Sequence, residues 1–347
     1  MTNTKRALTS PGQSFGVSRR ALLGGLSAAL LSQPLSHSDA ETLPLVFNHA
    51  YGTSVLNGPA RRVISLGYTT QDPLLALGVI PLAIRDWIGA YPYGVWPWAQ
   101  TFLGDAKPEL LIGEVSMERV AALEPDLIIA IGSGISKSEY RILSHIAPVL
   151  MHDLEDTTYG TPWDKVTKLI GRATGKGREA ELLVSTVRMK FSAAREKHLN
   201  WADRTAVAGY HWGGETGAFT GADTRATFLK ELGFRSTDAL IELSDPSDFY
   251  VRLSPEDLWP LDADVLVWIS NFGDAPDLVT LPMRKTLAAH LDGREVFAGP
   301  VVAAAMSFGS VLSFPYVLEQ LVEDIAAAID GDAETIVESA QNAGLAP

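Results

Sequence analysis

Two stretches of the chain repeat one pattern of polar and apolar positions. Residues 116–129 read SMERVAALEPDLII, and residues 254–267 read SPEDLWPLDADVLV. They align without a gap as Ser-x-Glu-x-apolar-x-x-Leu-x-x-Asp followed by three apolar residues. Ser116 and Ser254 suit an N-cap. Glu118 and Glu256 fall in the first helical turn, where a carboxylate complements the helix dipole. Pro255 takes the first helical position, which tolerates it, and Pro125 and Pro260 end each short helix. The apolar runs that follow, 127–131 and 265–269, are unbroken, as in strands buried on both faces of a parallel sheet. A doubly wound protein can repeat a helix–strand unit by chance, but here the Ser, Glu, Leu and Asp positions all coincide. One copy in each half predicts two α/β lobes of similar plan.

The remaining pattern fills in both lobes. In the first half, strands are predicted over 62–66, 82–84 and 149–151, and helices over 71–77 and 137–144. From Trp87 to about Pro108 no periodicity holds, and Trp87, Tyr91, Tyr93, Trp96 and Trp98 put five aromatics within twelve residues. A loop this long is functional or disordered, and aromatics disfavour disorder. It can plug the lobe, contact a ligand, or do both. A helix over 163–174 comes next, and then residues 178–199, a stretch of 22 without Pro or Gly. Leu182, Leu183, Val187, Phe191 and Ala194 recur in it at helical spacing. Such a helix is about 33 Å long at 1.5 Å per residue, enough to bridge two lobes. A plain amphipathic surface helix has the same pattern.

The second half is predicted to repeat the plan. A strand over 205–208 leads to Tyr210-His211-Trp212, and Gly213, Gly214, Gly217 and Gly221 read as a loop. A helix over 224–232, a polar loop, the second motif copy, a helix over 282–291 and a strand over 296–298 follow. A terminal helix over 309–329 tolerates Pro315 only near its start. The segments are therefore 1–40, 41–162, 163–200 and 201–347.

Composition changes the picture at the N-terminus. The chain as a whole, 46% apolar and 20% charged, has the balance of an ordinary globular protein. Its beginning does not: Ser18-Arg19-Arg20-Ala21-Leu22-Leu23 resembles a twin-arginine export signal. The apolar run 21–31 is too short for a bilayer, which needs ~20 residues. Ser38-Asp39-Ala40 supplies small residues for cleavage, so residues 1–40 are set apart from the fold. There is no cysteine, hence neither a disulfide nor a lipid-bearing cysteine, and the expected location is a periplasm. Net charge is −13; residues 1–40 hold four basic residues against Asp39, so the remainder carries −16. That field excludes nucleic acid and anionic lipid as partners and suits a basic protein surface.

Ligands of open parallel sheets sit outside the carboxyl ends of the strands. That rule collects Tyr68, Arg85, Trp87, Trp212, Asn271, Phe272 and Phe308 at strand ends, with Tyr91, Trp96, Phe249 and Tyr250 from adjacent loops. Facing lobes would make of these an aromatic cleft with few charges, fit for a bulky, partly apolar ligand. Arg85 is a candidate anchor for ligand oxygens or a partner of Asp86. Arg225 opposes the dipole at a helix start, which calls for a specific partner, ligand or carboxylate. No catalytic pattern is present: no G-x-S-x-G elbow, no phosphate loop, no dinucleotide fingerprint, and no paired histidine spacing. His152, Asp153, Glu155 and Asp156 form the densest ligand-type cluster, which reads as a solvated loop rather than a metal site.

Taken together, the two motif copies, the 163–175 helix before the long one, and ATFLKELGF at 226–234 carry a resemblance over residues 61–329. The sequence resembles the helical-backbone class of ABC-transporter substrate-binding proteins, which includes ferric-siderophore and vitamin B12 receptors. The resemblance implies an α/β fold of two Rossmann-like lobes with parallel sheets, joined by one long α-helix, with the ligand cleft between them. It implies that Glu118 and Glu256 pair with arginines of an ABC permease dimer in the inner membrane. It implies a monomeric, non-enzymatic receptor for a ferric siderophore, with iron held by the chelator, and no cofactor or metal site of its own. A cobalamin or haem receptor of the same build is the near alternative, and an exported hydrolase the more distant one. One departure concerns the cargo. Ferric-hydroxamate receptors often place an arginine shortly before the first motif, where this chain has Leu111-Ile112-Gly113.

Overall fold

The computed structural model describes residues 43–269 and 276–347. The expected export signal, and Asn271 and Phe272, lie outside the described residues. Residues 42–347 form one compact unit.

A hairpin of β1 (Leu45–His49) and β2 (Gly52–Leu56) opens the described chain. The first lobe follows in the order β3 (Val63–Ser65), α1 (Gln71–Ala76), β4 (Ala83–Arg85), α2 (Gln100–Leu103) and β5 (Glu109–Leu111). It continues with α3 (Met117–Ala122), β6 (Leu127–Ile129), α4 (Lys137–Leu143) and β7 (Val149–Leu150). Its sheet is parallel throughout, in the order β5-β4-β3-β6-β7. The unbroken apolar runs have the reason expected of them. Val63, Leu127, Ile129 and Leu150 pack on one face with Phe47, Leu74 and Ile170. Ile64, Ile128 and Val149 pack on the other with Val120 and Leu143. β5 was not predicted: it starts with Glu109 and is only partly buried, so it lacks the continuous apolar run of β6.

Two helices leave this lobe, α5 (Trp163–Ala173) and α6 (Gly177–Lys197). The long helix starts one residue earlier and ends two earlier than its periodicity suggested, because Leu199 belongs to a separate 3-10 turn. Its burial shifts along its length. Ala180 joins the core of the first sheet, whereas Val187 and Phe191 join that of the second. Phe191 meets Phe228 at 5.5 Å and Phe314 at 5.7 Å between ring centres, edge to face. One rigid helix thus contributes side chains to both cores.

The second lobe runs β8 (Ala206–Trp212), β9 (Glu215–Phe219), α7 (Thr224–Glu231), α8 (Asp238–Leu243), β10 (Tyr250–Leu253) and β11 (Val265–Ile269). It closes with α9 (Pro276–Val279), α10 (Ala288–Leu291), β12 (Glu295–Ala298), α11 (Pro300–Phe308), α12 (Ser313–Ala328) and α13 (Glu338–Asn342). Its sheet order is β10-β9-β8-β11-β12, with β8, β11 and β12 parallel and β9 and β10 antiparallel. The glycine-rich stretch after Trp212 is therefore a hairpin and not a loop. Gly213 (φ 59°) and Gly214 (φ 81°) make its two-residue turn, which needs positive φ at both positions. Gly217 lies within β9, where a Cβ would sit 2.2 Å from the Val251 carbonyl oxygen. α11 is apolar almost all round, so it has no amphipathic stripe to read.

The two motif copies occupy equivalent places, each ahead of the strand that pairs with the first strand of its sheet. Their aspartates do the same work. Asp126 accepts the backbone N–H groups of Arg61 and Arg62, at 2.9 and 2.8 Å. Asp264 accepts from the Thr205 N–H at 2.7 Å and its hydroxyl at 2.8 Å. The helices ahead of them differ. Ser116 caps α3, accepting from the Arg119 N–H at 3.4 Å. The second copy, expected to be a helix, is a turn with the Asp257 N–H donating to the Ser254 carbonyl at 2.9 Å, then a 3-10 turn, Trp259–Leu261. Pro260 has no N–H for the Glu256 carbonyl and its ring crowds that position, so no α-helix can run through. Among the described residues no helix is long and apolar enough to cross a membrane.

Candidate ligand cleft

A cavity of about 470 Å³ opens between the two lobes, floored by the start of α5. The first lobe supplies Tyr68, just past β3, Trp87, just past β4, and Gly132, just past β6. The second supplies Phe219 from β9, Arg225 from α7, Phe249 and Tyr250 at β10, and Phe308 to Val311 between α11 and α12. Carboxyl ends of parallel strands therefore make the first wall, as the strand-end rule requires. The second wall is built largely from the antiparallel part of its sheet.

The aromatic segment divides into two layers. Trp87 faces the cavity, stacked on Tyr68 at 5.6 Å and tilted against Phe308 at 5.4 Å between ring centres. Trp96 and Trp98 lie behind it, stacked on each other at 5.1 Å and buried among Phe308 and Tyr316. Tyr91 packs on Trp96 at 4.5 Å. Trp96 and Tyr91 are thus part of the packing between lobes and do not line the cavity. Two 3-10 turns, Pro92–Gly94 and Pro97–Ala99, give this stretch its local order, where an irregular loop was expected.

Trp98 leads to a group that sequence reasoning missed. Its indole N–H donates to Asp72 Oδ2 at 2.8 Å, and the Ser310 hydroxyl from the other lobe donates to the same oxygen at 2.5 Å. Asp72 is fully buried and its Oδ1 has no hydrogen-bond partner. Burial pushes its carboxyl up to about 6, and the bonds from Ser310 and Trp98 pull the other way. Ser310 is held there by the turn after α11. Gly309 adopts a left-handed φ of 52°, and Thr224 donates to the Met306 carbonyl at 2.9 Å. A Cβ at Gly309 would lie 2.5 Å from the Thr224 methyl, so this close approach needs glycine.

Neither predicted arginine is free. Arg85 lies behind the wall, its guanidinium 4.7 Å over the Tyr68 ring and donating to the Ser133 carbonyl at 2.8 Å. Arg225 lines the cavity 3.9 Å over the Phe219 ring. It donates to Asp223 at 2.7 Å and to the Ser307 hydroxyl at 3.0 Å. The partner that its unfavourable helix-start position called for is therefore the helix's own N-cap, Asp223, which also accepts the Arg225 N–H at 2.8 Å. Burial pushes the Asp223 carboxyl up, and Arg225 opposes this. Trp212, at the tip of the β8–β9 hairpin, is 62% exposed and stands apart from the cavity lining.

Tyr159 and Trp163 line the cavity without having been singled out from the sequence. Tyr159 is seated on Gly134, where a Cβ would come within 2.1 Å of its hydroxyl. The glycines after β6 were visible in the sequence, but the side chain they make room for is distant along the chain. Glu118 and Glu256 are both exposed. Among the described residues no group of three or more histidines and carboxylates is placed to hold a metal ion. In the His152 cluster Lys165 takes two of the three carboxylates, Asp153 at 2.7 Å and Asp156 at 2.9 Å.

Residues 63–299 match the protein family described as periplasmic binding protein. The Fe(3+) dicitrate-binding periplasmic protein of Escherichia coli K12 is 32% identical over 184 residues, which span 46% of this chain and 59% of that protein. The ferric enterobactin-binding periplasmic protein of Escherichia coli O6:H1 is 27% identical over 224 residues, 62% of this chain and 68% of that one. The crystal structure of a periplasmic solute binding protein from Mycobacterium smegmatis superposes with a TM-score of 0.73 at 32% identity, over 82% of this chain and 99% of that one.

Proposed function

From the premise that the chain belongs to the periplasmic binding protein family, we propose that it captures a ferric siderophore outside the inner membrane and delivers it to an ABC importer. The observation that carries this reading is the aromatic-walled cavity between the lobes. Tyr68, Trp87, Phe219, Phe249, Tyr250 and Phe308 offer apolar faces to the backbone of a chelator. The Thr161 hydroxyl, buried without a hydrogen-bond partner, offers a neutral hydrogen-bonding group. On this reading the iron is cargo, held by its chelator, and the protein catalyses nothing and has no resident metal or cofactor. The names of the two Escherichia coli relatives support the class of cargo.

Exposed Glu118 and Glu256, one in each motif copy, are the proposed contacts to basic residues of the permease dimer. Export by the twin-arginine route and a monomeric state complete the reading. Titration with gallium and ferric chelates, followed by tryptophan fluorescence, tests it, because Trp87 and Trp163 line the cavity. Saturable quenching by a siderophore complex is expected. Quenching only by cyanocobalamin or haemin would move the protein to another cargo, and no response to any of them would remove the transport reading. Replacing Glu118 and Glu256 together by alanine is expected to leave binding unchanged and to abolish uptake in cells.

A further inference from the structure

The charges around the cavity say which kind of iron complex it suits. Asp223 and Arg225 are the charged residues lining it among those described, and they are bonded to each other at 2.7 Å. Arg252, beside the rim residue Tyr250, is paired to Glu215 at 3.0 Å. Arg85, behind Tyr68, gives a hydrogen bond to a carbonyl and has the Glu139 carboxylate within its field. Asp72 adds a further acidic group below Ser310. Arg225 and Arg252 thus each have their own carboxylate, Arg85 is bonded to a carbonyl and does not reach the lining, and among the described residues no lysine or histidine lines the cavity. Residues 270–275, Ser-Asn-Phe-Gly-Asp-Ala, contain no basic residue. The chain as a whole carries −13, so its field repels anions on approach.

Iron chelates differ sharply in charge. Three hydroxamates lose three protons to Fe(3+), and the complex is neutral. Three catecholates lose six, and the complex carries three negative charges. A carboxylate chelate such as ferric dicitrate is also an anion. An anion of that kind, moved from water into this cavity, loses hydration and meets on the described wall only a cation already paired with Asp223. A neutral complex loses little on entry and gains the aromatic faces and the Thr161 hydroxyl.

We propose that the cargo is a ferric tris-hydroxamate, neutral or singly cationic, and that the Asp223–Arg225 pair enforces this by cancelling the one cation at the wall. The proposal rests on the siderophore reading above and sharpens it. It sets this chain apart from relatives named for dicitrate and enterobactin.

The test titrates the full chain with ferric desferrioxamine B, ferric enterobactin and ferric dicitrate, each with its gallium counterpart. The tris-hydroxamate is expected to bind roughly 100-fold more tightly than either anion, the scale of one or two uncompensated charges in a partly buried site. Equal or tighter binding of enterobactin or dicitrate overturns the charge inference and leaves the receptor reading standing. Failure of every ferric chelate to bind overturns both. Asp223→Asn gives an independent check, since asparagine caps a helix as well as aspartate does while leaving Arg225 without its countercharge. Ferric enterobactin affinity is expected to rise about tenfold or more relative to that of the tris-hydroxamate in that variant, so that the selectivity between the two narrows. A folded Asp223→Asn protein with an unchanged ratio of the two affinities would show that Asp223 does not set the charge selectivity.

Discussion

The two sheets order their strands alike, β5-β4-β3-β6-β7 and β10-β9-β8-β11-β12, so each strand of one has a counterpart in the other. The halves around the motif copies match. β3, β6 and β7 correspond to β8, β11 and β12, all parallel, and Asp126 and Asp264 anchor the same junction. The outer halves do not match. The first lobe reaches β4 and β5 by parallel crossovers, and the second lobe folds β9 and β10 back as antiparallel neighbours. The cavity draws on both parts: Tyr68 after β3, Gly132 after β6 and Phe308 to Val311 come from the matched half, and Trp87 after β4 with Phe219, Arg225 and Tyr250 around β9 and β10 from the unmatched one. A shared scaffold with unlike outer strands gives one cleft two different walls, an aromatic one and one holding a neutralised arginine.

The cores differ as well, and this is where the largest effect is expected. β7 is purely apolar, whereas β12 buries Glu295 against Arg284 at 2.5 Å, His290 at 2.8 Å and the Trp268 indole at 2.6 Å. Glu295→Ala leaves the Arg284 cation uncompensated and is expected to cost about 3–5 kcal/mol. A small truncation in the apolar core of the first lobe, Ile128→Val, is expected to cost only about 0.5–1.5 kcal/mol. Chemical denaturation of both variants measures the difference, and equal losses would erase this contrast between the cores.

Next comes the aromatic segment. Trp98 is buried between the lobes, so Trp98→Ala is expected to lose roughly 3–5 kcal/mol of stability by opening a cavity. Trp87 is 37% exposed at the cleft, and Trp87→Ala is expected to leave stability nearly unchanged while weakening cargo binding about tenfold, the worth of about 1.4 kcal/mol. The reverse pattern would place the ligand on the wrong layer.

A further effect is one of pH. The Asp72 carboxyl lies at about 6 in the fold against an ordinary 3.8. A raised carboxyl contributes its stability below about pH 4 and loses it as pH rises through about 6. At 1.36 kcal/mol per unit the loss amounts to about 3 kcal/mol at most, shared with every other group titrating there. Asp72→Asn is expected to flatten the stability profile between pH 4 and 7. A profile parallel to that of the wild type would mean that the carboxyl is not perturbed.

What the sequence disclosed follows the same division. The matched half was legible because its information is local: capping serines, continuous apolar runs, an aspartate at the strand entrance, and a long helix free of Pro and Gly. The strand-end rule also reached Tyr68 and Trp87, whereas Phe308, expected at a strand end, lines the cavity as the last residue of α11. The unmatched half was legible only in part: β4 was predicted and Trp87, Arg225, Phe249 and Tyr250 were singled out, but its antiparallel pairing was not. Glycines at 213–217 read as a loop until β8 and β10 are seen to pair with β9. Arg225 was noticed as misplaced at a helix start, but only geometry reveals that Asp223 neutralises it. Asp72 and Ser310 lie 238 positions apart, and no periodicity links them.

The most direct test is a crystal of the full chain grown with a ferric tris-hydroxamate and measured at the iron absorption edge. The expected result is one anomalous peak in the cleft, between the Trp87 and Tyr68 rings on one side and Phe219, Tyr250 and Arg225 on the other, with the Asp223–Arg225 bond intact. An iron peak outside the cleft, or iron bound directly by protein side chains, would contradict the account.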